Sequence, residues 1–286
     1  MSEGPTAVVS RETRATLAAG EPWPRPSHAR IMTVANQKGG VGKTTSAVNL
    51  AVALAAGGLR VLAIDLDPQG NATTAFGIDR EPGMPSVYDV IMGERTIAEV
   101  VRPAGDATGV SCVPATVDLA GAEIELVSTV AREMRLQRAV AAVAADYDYV
   151  LIDCPPSLGL LTVNALVAAA EVLIPIQCEY YALEGLGALL GNVELVRAHL
   201  NPQLRVSTIL LTMYDARTRL ADQVAAEVRQ HFPDIVLTST IPRSVRISEA
   251  PGFGQSVLTY DPASRGARAY VAAAQEIAQR GVEERP

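Results

Sequence analysis

The densest chemistry in this chain lies in ten consecutive residues, Asn36-Gln37-Lys38-Gly39-Gly40-Val41-Gly42-Lys43-Thr44-Thr45. Glycines at these positions let successive backbone N–H groups turn inward on a polyphosphate, and a helix beginning here would add its positive end. Lys43 would reach the β- and γ-phosphates, and the Thr44 hydroxyl would face Mg²⁺. The usual G-x-x-x-x-G-K-[ST] pattern requires glycine at position 37, where this chain has Gln37; its glycines fall at 39 and 40, preceded by a second lysine, Lys38. Lys38 and Lys43 are the only lysines in 286 residues, against 22 arginines, so every other cationic position has been given to arginine.

Two carboxylate segments accompany the loop. Val61-Leu62-Ala63-Ile64-Asp65-Leu66-Asp67 is an apolar run ending in acids two residues apart, a spacing that puts both on one face of a strand. One of them can face a ligand beyond the strand's carboxyl end. Asp65 reads equally well as a buried acid satisfied by loop amides. Val150-Leu151-Ile152-Asp153 is a second apolar run closing on an acid, suited to holding Mg²⁺ through water. Arg217, Arg219, Arg243 and Arg246 are the candidates for nucleic-acid contact. No base-reading helix accompanies them, so they would meet phosphates without regard to sequence. The bland alternative is that they are solvated or pair with Asp215 and Glu249.

The elements that must position these groups follow from the hydropathy pattern. Short β-rich runs are expected at Ile31–Ala35, Val61–Leu66, Val110–Val113, Tyr149–Ile152, Val172–Ile176, Val206–Thr212 and Ile235–Ser239. Helical stretches are expected at Lys43–Ala56, Asp118–Ala144, Leu160–Ala169, Leu183–His199, Leu220–His231 and Ser264–Gln279. This alternation implies an α/β fold: a mostly parallel twisted sheet of about seven strands with helices on both faces. The phosphate loop then joins the first strand to the first helix. Residues 1–29 are polar and broken by Pro5, Pro22, Pro24 and Pro26, with Trp23 as their one large apolar side chain, so a flexible N-terminal extension is expected there and a single domain over 30–286.

Composition narrows the class. With 49% hydrophobic and 19% charged residues the chain has material for a core. No apolar stretch approaches the roughly 20 residues of a bilayer crossing, and the N-terminus lacks a secretory h-region, so a cytoplasmic protein is expected. Cys112, Cys154 and Cys178 are widely spaced and read as buried thiols rather than as a metal site. The net charge of −7 disfavours nucleic acid taken alone, yet residues 203–268 carry eight arginines against six acids.

The loop resembles the K-G-G-x-G-K-T signature of the ParA (Soj) chromosome-partitioning ATPases, the deviant Walker A group of P-loop proteins. Further blocks in the same order extend the resemblance from about Arg30 to Gly281: VLAIDLDPQGNAT (Val61–Thr73), YVLIDCPPSLG (Tyr149–Gly159), IPIQCEYYALEG (Ile174–Gly185), LTMYDAR (Leu211–Arg217) and IPRSVRISEAP (Ile241–Pro251). The resemblance implies ATP and Mg²⁺ as ligands and a sandwich homodimer in which Lys38 crosses to the partner subunit's phosphates. It assigns the hydrolysis-critical carboxylate to Asp67 and places adenine near Pro242 and Ser244, where the family often has asparagine in place of Ser244. It further implies double-stranded DNA and a ParB-type centromere-binding protein as partners, on the nucleoid. Physically, two loops each bearing Lys38 and Lys43 repel when empty and attract once Mg-ATP fills them. No arginine finger or unambiguous general base is visible, so intrinsic turnover should be slow.

Three competing classes are distinguishable. A MinD-like membrane-associated division regulator would need an amphipathic tail, whereas Gln275–Pro286 carries Glu276, Glu283 and Glu284 with few bulky apolar residues. A metal-cluster carrier related to the nitrogenase iron protein would need thiolates at an interface. A nucleotide-locked DNA scaffold would show no stimulated phosphate release.

Overall fold

In the computed structural model, residues 22–81, 83–105, 107–180 and 182–283 are described. The strands are β1 (Arg30–Val34), β2 (Val61–Asp65), β3 (Arg102–Pro103), β4 (Val110–Val113), β5 (Tyr149–Asp153), β6 (Glu171–Gln177), β7 (Arg205–Tyr214) and β8 (Val236–Pro242). The helices are α1 (Lys43–Ala56), α2 (Asn71–Ala75), α3 (Val87–Met92), α4 (Ile97–Val100), α5 (Leu119–Glu125), α6 (Arg135–Ala141), α7 (Leu160–Ala168), α8 (Ala182–His199), α9 (Arg219–His231), α10 (Val245–Glu249), α11 (Val257–Tyr260) and α12 (Arg265–Glu283).

One eight-stranded sheet runs β3-β4-β2-β5-β1-β6-β7-β8, parallel throughout except where β3 meets β4. The expected seven strands are present, and the eighth is the two-residue edge strand β3, too short to register as a hydrophobic period. β1 lies centrally, between β5 and β6. The loop after it therefore opens where successive crossovers diverge to opposite sides, the usual place for a ligand in an open α/β sheet. Met32 and Val34 enter the apolar layer shared with α1, α11 and α12, while Ile152, Ile174 and Leu211 enter the layer shared with α3, α6, α7 and α8. Strands apolar on both faces are what a sheet covered by helices on both sides requires.

The continuous helical stretch expected over Asp118–Ala144 is instead broken into α5, short 3₁₀ turns and α6. Thr129 is extended and Ala131 sits at φ +53°, in the left-handed region. Asn164 on α7 stabilises the break: its amide donates to the Arg132 carbonyl at 2.9 Å and its oxygen accepts from the Leu136 N–H at 3.2 Å. The β-branched run at Thr129 and Val130 has little helix propensity to oppose this.

Of the N-terminal extension, residues 1–21 lie outside the described residues. Trp23 lies over Gly57 at the end of α1, so close that a Cβ on Gly57 would come within 2.3 Å of the ring. Arg25 donates to the Gly58 carbonyl at 3.2 Å. Among the described residues no helix is long and apolar enough to cross a membrane.

Candidate nucleotide site

Residues 35–42 connect β1 to α1 and are pinned from two neighbouring strands. The Asn36 side chain donates to the Pro175 carbonyl of β6 at 2.8 Å and accepts from the Lys38 N–H at 3.0 Å. Thr212 at the end of β7 donates its hydroxyl to the Val41 carbonyl at 2.8 Å. Gly40 and Gly42 adopt φ +76° and +90°, the left-handed backbone that residues with a side chain rarely hold. A Cβ added at Gly39 or Gly40 would meet nothing within 4 Å, so this part of the loop borders open space. Gly42 caps α1 without a side-chain hydrogen bond, and the first turn holds no acid. The positive end of the helix is thus left for an anion.

Lys43 is only 7% exposed, and its ammonium donates to the Lys38 carbonyl at 3.2 Å. Burial lowers its pKa, opposed chiefly by Asp153 and then by Cys154 and Asp67. Across from it, Asp153 closes β5 with both carboxylate oxygens buried and, among the described residues, no hydrogen bond within 3.5 Å, although the Thr44 hydroxyl is near enough to act on it. Burial first, and the Asp65 charge second, raise this carboxyl well above its ordinary range, against the pull of the Thr44 hydroxyl and Lys43. An unsatisfied buried carboxylate beside a threonine hydroxyl and a phosphate loop is an apt donor set for a hard divalent ion, which prefers oxygen and keeps several waters. Among the described residues no cluster of three or more His, Cys, Asp or Glu forms a cage, so the remaining ligands would come from phosphate and water.

The two acids after β2 divide. The strand ends at Asp65, so the period-two placement expected for the pair does not extend to Asp67. Asp65 is wholly buried and turns to the backbone: it accepts from the Thr73 N–H at 2.7 Å, the Thr73 hydroxyl at 2.6 Å and the Asp67 N–H at 3.2 Å. Burial nonetheless raises its carboxyl to about 6. This is the arrangement of a structural acid that orders the 67–73 turn. Asp67 accepts only the Gln69 N–H at 3.0 Å among the described residues, remains 8% exposed, and acts electrostatically on Lys43 and Asp153.

Beside Gly42 and Thr45 opens a cavity of about 160 Å³, lined also by Met213, Pro242, Ser244 and Tyr270. It brings Pro242 and Ser244 next to the phosphate loop. Met213 holds φ +50°, a strained conformation for a residue with a side chain. Thr212, Met213 and Tyr270 were given no role from the sequence: Thr212 closes an expected strand, Met213 follows it within the LTMYDAR block, and Tyr270 is one apolar position of an expected helix.

The arginines separate into two groups. Arg217 and Arg243 follow the paired ends of β7 and β8 and both lower the Asp215 carboxyl, to about 2, with the Arg217 hydrogen bonds leading. Arg217 is 88% exposed and its guanidinium donates to Asp215 at 2.8 and 2.9 Å. Arg219 begins α9, exposed and, among the described residues, without an ion pair. Arg246 on α10 pairs with Glu249 at 3.1 Å and Asp261 at 3.4 Å. The three cysteines are buried, and burial raises each thiol.

A parallel sheet carrying a glycine-lysine loop on its central strand, with a buried acid on the adjacent one, defines a P-loop protein. Residues 29–206 match the AAA domain family. The chain is 53% identical over 252 residues to the sporulation initiation inhibitor protein Soj of Bacillus subtilis (strain 168), covering 88% of this chain and 99% of that protein. It is 48% identical over 277 residues to the chromosome partitioning protein ParA of Myxococcus xanthus, covering 96% and 97%. Among solved structures it resembles cobyrinic acid a,c-diamide synthase from Mycobacterium smegmatis with bound ATP analog and magnesium, with a TM-score of 0.75, 39% identity, and 86% and 93% coverage. It also resembles the cell division ATPase MinD of Pyrococcus furiosus, with a TM-score of 0.72, 28% identity, and 88% and 99% coverage. The chain belongs to the Soj/ParA family of chromosome-partitioning proteins.

Proposed function

We propose that this chain is an ATP-driven switch for chromosome segregation. ATP joins two copies face to face, the pair holds DNA phosphates, and hydrolysis stimulated by a ParB-type partner releases them. The observation that carries this reading is the placement of the chain's only two lysines on one glycine loop at an acid-free helix N-terminus. Such a surface disfavours an empty copy of itself and favours one filled with triphosphate.

In the mechanism, the backbone from Lys38 to Thr45 and the Lys43 ammonium bind the phosphates, while Pro242 and Ser244 border the base. Thr44, Asp153 and Asp67 would hold Mg²⁺, Asp153 through water; the ion would supply neutralisation of charge on the phosphoryl oxygens. Asp67 orients the attacking water, and Lys38 of the facing copy adds charge to the same phosphates. Arg217, Arg219, Arg243 and Arg246 contact DNA backbone. The pairs with Asp215 and Glu249 mean that Arg217 and Arg246 must exchange a carboxylate for a phosphate. If each copy neutralises about three phosphates, the salt slope is about −2.7 for one copy and about −5.4 for the pair, so joining converts feeble contact into useful affinity. This chemistry belongs in the cytoplasm, on the nucleoid.

The test is DNA retention by the wild type and Arg246→Ala across a salt series with ATP, ADP or a non-hydrolysable analogue. Retention confined to the triphosphate states, with a shallower slope for the variant, is expected. Retention indifferent to nucleotide overturns the switch.

A further inference from the structure

One carboxylate sits between the nucleotide loop and the arginine surface. Glu179 lies two residues beyond β6, its N–H donating to the Gln177 carbonyl at 2.8 Å. Its Oε2 faces the Lys38 ammonium at 3.6 Å, while its Oε1 faces the Arg243 guanidinium at 3.5 Å and accepts from the Gln177 amide. The backbone that carries each cation is held in place. Lys38 is tethered through its own N–H to Asn36, and Arg243 donates its backbone N–H to the Tyr214 carbonyl at 3.1 Å. Two positive side chains thus converge on one negative group, one at each oxygen, each attracted by Glu179 and repelled by the other.

We propose that Glu179 is a positioning residue for which Lys38 and Arg243 compete, and that it keeps Lys38 on its own subunit until triphosphate draws it away. This rests on the reading above that Lys38 acts on phosphates. A lysine already paired must give up that contact before it can serve a facing site, so the pair sets a threshold for joining. Arg243 lowers the threshold, because it takes part of the carboxylate's field. Removing Arg243 therefore strengthens the hold on Lys38, whereas removing the Glu179 charge abolishes both contacts. The groups are partly solvent-exposed, so each effect is modest, about two- to fivefold.

The scarcity of lysine provides a readout that needs neither nucleotide nor dimer. Acetylation of the full chain by an amine-reactive ester, followed by mass spectrometry, reports Lys38 and Lys43 separately. The buried Lys43 serves as an internal monitor of unfolding. In nucleotide-free protein, Glu179→Gln is expected to raise the Lys38 labelling rate about two- to fivefold and Arg243→Ala to lower it, with Lys43 unchanged in both. Adding Arg243→Ala to Glu179→Gln should lower Lys38 labelling less than it does in the wild type, since only the direct repulsion between the two cations is left to remove. A second arm measures the ATP concentration for half-maximal dimer formation, expected to fall in Glu179→Gln and rise in Arg243→Ala. Equal Lys38 labelling in wild type and Glu179→Gln, or a decrease in both single variants, overturns the clamp. The labelling shifts without any ATP-dependent dimer would retain the clamp and refute the switch on which its role rests.

Discussion

Lys43 is 7% exposed and closed in by the loop carbonyl of Lys38 with Asp67 and Asp153 nearby, whereas Arg217, just beyond a strand two places away, is 88% exposed and, among the described residues, held by Asp215. In the first region cation and acids are locked by strands and desolvated, so each charge acts strongly on the next. In the second the partners are solvated and exchangeable, and an incoming phosphate competes with an existing carboxylate on nearly equal terms. On the function proposed here, the loop side would be preorganised for chemistry and the arginine side suited to reversible grip. Asp153 illustrates the cost of the first arrangement: a buried acid with only the Thr44 hydroxyl and Lys43 drawing on it opposes stability in the free protein, a cost that a bound cation would offset under the proposed function.

The largest effect expected from this contrast is at Lys43. Lys43→Ala should weaken nucleotide binding about 1,000-fold, near 4 kcal/mol, in calorimetric titration, since it removes a buried charge at the phosphates. A loss below tenfold would put the phosphates elsewhere. Asp153→Asn should separate activity from stability: phosphate release falls about 100-fold, while the nucleotide-free chain unfolds at a higher temperature by an amount worth about 1 kcal/mol. Destabilisation of the free form would mean that Asp153 is already satisfied.

The acids also set a pH dependence. Asp65 has its folded pKa raised to about 6, above its unfolded value near 4, so between these limits the folded chain binds more protons. Stability of the nucleotide-free protein should therefore fall as pH rises from about 4 to about 6, by up to ~3 kcal/mol, and Asp65→Asn should flatten that segment of the denaturant-unfolding profile. Asp153, shifted in the same direction, adds its own fall from the same lower limit, so Asp65→Asn makes this segment shallower without removing it. A rise in stability over this interval, unchanged in Asp65→Asn, would contradict the assignment.

Two smaller effects sharpen the comparison. Thr212→Val removes the hydroxyl that supports the Val41 carbonyl and should destabilise the fold by about 1–2 kcal/mol with weaker nucleotide binding, while Thr212→Ser retains both. On the arginine side, Asp215→Asn should free Arg217 and tighten triphosphate-dependent DNA binding about threefold, whereas Arg219→Ala should reduce the salt slope by about 0.9 per copy. Unchanged DNA binding in both would remove this surface from the interface.

What was legible in the sequence follows from distance along the chain. The strand, glycine loop and helix around Lys43 are contiguous, so their spacing is enough to place them. Asp153 was readable because the apolar run that buries it is also local. The pins are not: Asn36 reaches a carbonyl 139 residues away and Thr212 one 171 residues away. Nothing in either neighbourhood distinguishes these side chains from ordinary loop and strand positions. The helix expected over Asp118–Ala144 failed for the same reason, since its break is held by Asn164 from another helix. Spacing alone put Asp65 and Asp67 on one face and left a structural reading open for Asp65; the return of Thr73 onto Asp65, 8 residues along, is what occupies that carboxylate and leaves Asp67 less engaged.

The most direct test is sedimentation of Asp67→Ala, chosen to block hydrolysis, with saturating MgATP. A particle of twice the 30.1 kDa chain mass is expected with ATP, and the single-chain mass with ADP or no nucleotide. A single-chain mass in every nucleotide state would contradict the proposed switch.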